Sequence, residues 1–279
     1  MEDKKVFFSE DLLVVKFGIF TDIHYSKSPD YGNRYLQFSK YKLEQALIEL
    51  KKQKTDFSVC LGDVIDKPDN ESGCIENLKE IIQLCKDHYH RQVYFLPGNH
   101  DLENMTKEEF IEVCKIPSVT ADYSFTYNGI HFVIIDCNFG KDGLPYRMGN
   151  KHWTDSYVPE AVLNRLNDTL KTNQDKVTII FSHHCLDYRL SDGEIDVHCP
   201  VNSQDVRDII NKYDNVKAVF CGHYHNGYYQ KDKNTHYINA KALVTGNTPD
   251  NTAFMAVSVY NNGFLKIAGY GRETNMLLD

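Results

Sequence analysis

The chain has 279 residues, 42% of them hydrophobic, and a formal net charge of −8. That length admits one large α/β domain or two small ones with ample apolar material for a core, and one domain over 1–279 is the simpler expectation. The acid excess argues against duplex nucleic acid, which needs clustered Lys and Arg, but leaves small phosphorylated substrates open because a metal site can supply positive charge.

At the N-terminus, MEDKKVFFSEDLLVVKFGIF, acidic residues break the apolar part, and no run reaches the length of a signal h-region or a membrane span. A cytoplasmic protein without a membrane partner is expected. The eight cysteines form no CxxC pair, and several lie in apolar runs, so buried reduced thiols are expected rather than disulfides.

Leu12–Thr21, LLVVKFGIFT, is a nearly continuous β-branched and aromatic run, as expected of a strand covered on both faces, and it ends in Asp22-Ile23-His24. Lys40–Lys54 places Tyr41, Leu43, Ala46, Leu47 and Leu50 at helical spacing. A second buried strand, Phe57–Leu61, ends in Gly62-Asp63-Val64-Ile65-Asp66. A helix over about Ile75–His88 precedes the strand Val93–Leu96, which breaks at Pro97-Gly98 and delivers Asn99, His100 and Asp101. Another short helix lies near Lys107–Cys114. Tyr123–Tyr127 and Ile130–Ile135 flank Asn128-Gly129, a strong hairpin signal because both turn residues tolerate positive φ.

The stretch Asp136–Pro159 is long, polar and Gly-rich, the kind of loop that usually forms a lid or a binding surface. A helix at Glu160–Leu170 leads to the strand Val177–Phe181, ending in Ser182-His183-His184. A helix at Ser203–Tyr213 leads to the strand Val216–Phe220, ending in Cys221-Gly222-His223-Tyr224-His225. From Gly227 to Tyr270 the sequence reads as short strands with turns.

Asp22, His24, Asp63, Asn99, His100, His183, His223 and His225 thus each sit just past the end of an apolar strand. In open α/β sheets the carboxyl ends of the strands share one edge, so these residues converge. Oxygen and imidazole donors without thiolate suit Mn²⁺, Fe or Zn²⁺ better than Ca²⁺ or Cu(I). With His100 set apart, two Asp, one Asn and four His make seven protein ligands, too many for one ion and natural for two if one carboxylate bridges, and Asp63, beside Gly62, is the best bridge. Two cations about 3.5–4 Å apart can bind a phosphoryl oxygen, acidify a bridging water and hold attacking and leaving oxygens in line, which makes hydrolysis of a phosphate ester or anhydride the expected reaction. Any single His of this set would ordinarily be a hydrogen-bonded core or loop residue; five strand ends carrying the same donors argue against that for the set.

In this order Asp22-x-His24, Gly62-Asp63-x-x-Asp66, Gly98-Asn99-His100-Asp101, His183 and Gly222-His223-x-His225 resemble the motif set of the calcineurin-like metallophosphoesterases. The resemblance implies a four-layer α/β/β/α sandwich of two mixed β-sheets flanked by helices. It also implies one metal on Asp22, His24, Asp63 and His225, and a second on Asp63, Asn99, His183 and His223. His100 would assist the leaving oxygen and Asp101 would orient its ring. A Tyr stands in place of Asp66 in purple acid phosphatases, so a charge-transfer iron site is not expected. Class III cyclic-nucleotide phosphodiesterases share the LPGNHD and SHH styles. Mn²⁺-dependent ADP-ribose/CDP-alcohol diphosphatases resemble the chain over more of its length, including Arg34-Tyr35, Trp153-Thr154-Asp155 and the ending through Gly269-Tyr270-Gly271-Arg272.

A small nucleotide-type phosphodiester or diphosphate is therefore the expected substrate. A cyclic-nucleotide phosphodiesterase or a phosphomonoesterase is the alternative within the class, and a non-catalytic metal-binding scaffold the alternative outside it. Arg34 and Arg272 are candidate phosphate clamps, because guanidinium binds phosphate bidentately. The Tyr side chains at 123, 127, 146, 157, 188, 228 and 229 are candidate base-stacking groups or packing residues. His184 is ambiguous between a ligand and a neighbour of ligands, and Asp66 between orienting His100 and capping its loop. The sequence assigns no oligomeric state.

Overall fold

In chain order the elements are β1 (Leu13–Phe20), α1 (Leu36–Lys52), β2 (Phe57–Cys60), α2 (Gly73–His88), β3 (Val93–Phe95), α3 (Lys107–Cys114), β4 (Tyr123–Tyr127) and β5 (Ile130–Ile135). There follow a 3₁₀ turn at Trp153–Asp155, α4 (Glu160–Thr172), β6 (Thr178–Ser182), β7 (Leu190–Ser191), β8 (Glu194–Ile195), α5 (Ser203–Ile210) and β9 (Val216–Cys221). The chain closes with β10 (Tyr228–Asp232), β11 (Thr235–Asn239), β12 (Ala253–Tyr260), β13 (Leu265–Gly271) and β14 (Met276–Leu278). The computed structural model describes residues 9, 12–66, 73–103, 105–146 and 152–279; residues 147–151 of the long loop lie outside them.

Two six-stranded sheets result, ordered β14-β13-β12-β1-β2-β3 and β10-β11-β9-β6-β5-β4. β1, β2 and β3 run parallel, as do β5, β6, β9 and β11, while β12–β14, β4 and β10 are antiparallel. The alternation of a strand explains the layers. Val15, Phe17 and Ile19 of β1 face the core between the sheets, and Phe20 faces the helices on the outer side. Phe17 stacks on Phe57 at 5.5 Å between ring centres and meets Phe132, Phe181 and Phe220 edge-on, so rings from both sheets interdigitate. Gly18 lets α1 close in: a Cβ there would stand 2.7 Å from Leu50 Cδ1.

The outer cores have the same origin. Helices α1, α2 and α3 cover the first sheet through Leu43, Leu47, Leu78, Ile81 and Phe110, and α4 and α5 cover the second through Val162, Leu166, Leu170, Val206 and Ile210. The four layers and mixed sheets match the expected sandwich. Three local readings differ. α1 begins at Leu36 rather than Lys40 because its buried face runs Leu36, Leu43, Leu47, Leu50, with Tyr41 off that face and exposed. The C-terminal stretch is not uniformly short: the eight-residue β12 pairs with β1 along most of its length. The hairpin β7–β8 gave no periodic signal.

Candidate metal centre

The loops that follow β1 and β2 continue side by side beyond the sheet. Asp22 N–H donates to Gly62 O at 3.0 Å, His24 N–H to Asp63 O at 2.9 Å and Tyr25 N–H to Val64 O at 2.9 Å. These bonds hold unusual backbone at Asp22, His24 and Asp63, with φ of 51°, 48° and 50°; His223, whose amide donates to Asp22 Oδ2 at 3.1 Å, has φ of 69°. Left-handed φ at a residue with a Cβ costs about 1–2 kcal/mol and concentrates where function fixes side-chain direction. Close backbone approach does the rest. A Cβ on Gly98 would collide with Asp63 Oδ1 and one on Gly222 with Thr21 Oγ1, so both turns need glycine.

The predicted ligands meet. His225 Nε2 lies 3.4 Å from Asp22 Oδ1 and 3.2 Å from His24 Nε2. Asp63 Oδ2 lies 3.5 Å from His24 Nε2 and 3.3 Å from His183 Nε2, and Asn99 Oδ1 is 3.2 Å from that same nitrogen. Two sets able to hold a cation, Asp22/His24/His225 and Asp63/His183/His223, each place their donor atoms within 4.8 Å of one another, and His24/Asp63/His100 forms a third. Asp22 Oδ1 and His223 Nε2 are buried without a hydrogen-bond partner, which a buried polar atom rarely tolerates unless a ligand satisfies it. With an oxygen and imidazole donor set, these residues fit divalent metal ions.

Electrostatics agree with that fit. Burial alone would raise the Asp22 carboxyl, but contact with His225 and His24 holds it well below the usual range. Asp63 is likewise raised by burial and, more strongly, lowered by His183, His100 and His24. Burial would lower His183, yet Asp63 brings it up to about 9, so the pocket around Asp63 favours positive charge.

Of the two carboxylates expected beside His100, Asp66 is there and Asp101 is not. Asp101 does not orient its ring: Asp101 Oδ1 accepts from the Val64 and Ile65 amides at 2.9 and 3.0 Å, and Oδ2 from Gly98 N–H at 2.8 Å. Adjacent residues in this turn point apart, and Asp101 is a brace between the two loops. Burial and then Asp63 push its carboxyl up to about 7, while the amides lower it. His100 Nδ1 faces Glu103 Oε1 at 3.3 Å and Asp66 Oδ1 at 3.8 Å. Asp66 also accepts from Tyr31 Oη at 2.7 Å and Arg34 at 2.9 Å, and its Oδ2 sits 3.0 Å from His24 Nδ1. It therefore serves His24 and Arg34 at least as directly as His100.

Arg34 reaches the centre and Arg272 does not. Arg34 Nη2 is 3.0 Å from His100 Nε2. Arg272 is spent on the carbonyls of Ala242 and Thr245, the latter at 3.0 Å, where with Lys42 it pins the turn after β11. His184 is buried beside the candidate ligands with its ring 4.7 Å from that of His223. Burial and then the charge of His183 lower it to about 3.

The donors open onto a cleft of about 330 Å³ lined by Asn33, Arg34, Asp63, Asn99, His100, Trp153, His198, His223, Tyr224, His225 and Asn226. None of the seven candidate Tyr lines it; Tyr224 and Trp153 do. The sequence reading gave no role to His198, Asn33 or Asn226, which sit in loops without periodic signal.

The fold and the clustered Asp, His and Asn donors define a metal-dependent hydrolase of phosphate esters. The family model for calcineurin-like phosphoesterase matches residues 15–227, and the chain belongs to that family. A 3′,5′-cyclic-nucleotide phosphodiesterase from Nostoc is 25% identical over 81% of this chain and 77% of its own length. A manganese-dependent ADP-ribose/CDP-alcohol diphosphatase from Arabidopsis thaliana is 23% identical over 88% of this chain and 91% of its own. The crystal structure of a dimetal phosphatase from Danio rerio superposes with a TM-score of 0.77 at 17% identity, covering 95% of this chain and 99% of the other, a likeness of fold. Among the described residues no helix is long and apolar enough to cross a membrane.

Proposed function

We propose that this enzyme hydrolyses a phosphodiester or diphosphate bond in a small nucleotide-type substrate with two metal ions, Mn²⁺ foremost. Fe and Zn²⁺ suit the same donors. Asp22, His24, Asp63 and His225 would hold one ion, and Asp63, Asn99, His183 and His223 the other. The observation that carries this reading is the place of Asp63 Oδ2, 3.5 Å from His24 Nε2 and 3.3 Å from His183 Nε2, between the two donor sets. When bound, such a pair supplies Lewis acidity to phosphoryl oxygens and acidifies the attacking water.

The chain's own residues do the rest. Arg34, held through Asp66, is the permanent cation at the cleft wall, and its guanidinium binds phosphoryl oxygens. Once substrate draws Arg34 away, His100 Nε2 is free to hold a proton against the leaving oxygen as the P–O bond breaks. Glu103 and Asp66 on the Nδ1 side support that protonated ring. Braced by Asp101, the loop keeps Asn99 and His100 in register with Asp63, whose Oδ1 accepts the His100 amide at 2.9 Å.

The names of the Nostoc and Arabidopsis relatives support a nucleotide-type substrate, and the longer match of the second favours a diphosphate. The eight free thiols support a reducing, cytoplasmic setting. The test is Mn²⁺-stimulated turnover of bis-p-nitrophenyl phosphate followed by a panel of ADP-ribose, CDP-choline, cyclic AMP and simple monoesters. A preference for ADP-ribose or CDP-choline is expected. Cyclic AMP as the best substrate would transfer the assignment to the cyclic-nucleotide class, and no turnover of any would remove it.

A further inference from the structure

Beyond His183 the chain leaves the sheet, forms β7–β8 and returns to lay His198 over the cleft, where His198 O accepts the Cys185 amide at 3.0 Å. Asp196 Oδ1 accepts twice from this one residue, from the His198 backbone N–H at 3.0 Å and from its Nδ1 at 2.7 Å. With Nδ1 committed, Nε2 is the remaining polar atom of a ring that lines the cleft. The ring lies 5.2 Å from Trp153, 5.1 Å from Tyr224 and 5.1 Å from His223 between centres.

Arg189 stands behind this pair. Its guanidinium stacks on Tyr224 at 3.9 Å, and its Nε lies 3.9 Å from Asp196 Oδ1. Burial would raise the Asp196 carboxyl, but the His198 contacts and Arg189 bring it below the usual range, so it stays an acceptor. Arg34 and His100, in contact at 3.0 Å, line the same cleft and suit the phosphoryl group. The group of Trp153, His198 and Tyr224 carries no permanent charge and offers flat apolar rings beside a hydrogen-bonding nitrogen.

We propose that His198 is a specificity-determining residue that hydrogen-bonds an O–H or N–H donor on the organic group of the substrate, with Trp153 against the planar part of that group. Asp196 positions it by fixing the tautomer. The ligand class is a phosphate ester whose neutral organic group joins a ring to such a donor, as a nucleoside does. The inference rests on the phosphohydrolase reading and adds the residue that reads the organic group.

The experiment is calorimetric titration of the Mn²⁺-loaded protein at pH 8 with thymidine 5′-monophosphate and with phenyl phosphate, which has a ring and no donor. The wild type should bind the nucleotide about tenfold more tightly, and His198→Ala should reduce that ratio about tenfold. His198→Gln, which keeps a hydrogen-bonding group, should retain part of the ratio, and Asp196→Asn should lower it. If His198→Ala does not fold, His198→Phe preserves the packing and removes the nitrogens. A wild-type ratio near one, or a variant that weakens both ligands equally or neither, overturns the proposal. Absence of bis-p-nitrophenyl phosphate turnover in the same wild-type preparation would instead count against the proposed function, leaving the binding ratio to be read on its own.

Discussion

Arg34 and His100 touch: a guanidinium nitrogen lies 3.0 Å from the imidazole Nε2, and the same guanidinium is held by Asp66 at 2.9 Å. A cation fixed against the nitrogen that is to hold the proton is placed to exchange that contact for a phosphoryl oxygen. Arg34→Ala should lower kcat/KM on bis-p-nitrophenyl phosphate by about 10²-fold, the scale for one preorganised donor to a developing charge. Metal content by elemental analysis should remain that of the wild type. A variant with full activity would remove Arg34 from the mechanism.

Asp101 accepts three backbone amides from two loops, so its loss leaves buried donors unsatisfied. Asp101→Ala should cost about 2–4 kcal/mol in urea unfolding. If Asp101 instead acted on His100, the pH profile of kcat would shift while stability held.

Glu273 carries a pH dependence outside the candidate metal centre. Burial pushes its carboxyl up to about 7 from 4.5, against the Lys241 amide that donates to it. The folded state therefore binds more protons than the unfolded one between those values, and stability falls as pH rises through them. Glu273→Gln should be more stable than the wild type by roughly 1–3 kcal/mol at pH 8, the difference closing near pH 5. Urea unfolding at both pH values measures it.

Much of the site was legible because each apolar strand stops where its chemistry begins: GIF before Thr21-Asp22, SVC before Leu61-Gly62-Asp63, IIF before Ser182-His183. The parallel strands of the two packed sheets turn that sequence regularity into proximity. Of the two carboxylates the sequence offers His100, Asp66 faces its Nδ1 at 3.8 Å and Asp101 does not, since adjacency in a turn says nothing of direction; Glu103, at 3.3 Å, carries no signal in the sequence. His198 was hidden for a related reason. The segment that carries it has neither helical nor strand period, and only the return of β7–β8 brings it to the cleft. Arg272 looked like Arg34 in sequence, but the pairing of β12 with β13 directs it to the turn after β11.

Metal removal should be visible in stability. Several donors are held at strained φ with orphaned polar atoms among them, so Mn²⁺ at a hundredfold excess over its Kd should raise unfolding free energy by about 2.7 kcal/mol for each independent site. A chelator should reverse the gain, and a melting temperature indifferent to both would contradict the fit of these residues to cations.

The most direct test of the central claim is the number of Mn²⁺ ions bound per chain, measured together with bis-p-nitrophenyl phosphate turnover, in the wild type and in Asp63→Asn. Two ions with turnover in the wild type, and weakened binding with turnover lost in a folded Asp63→Asn, is the expected result. Undiminished turnover and binding in Asp63→Asn would contradict it.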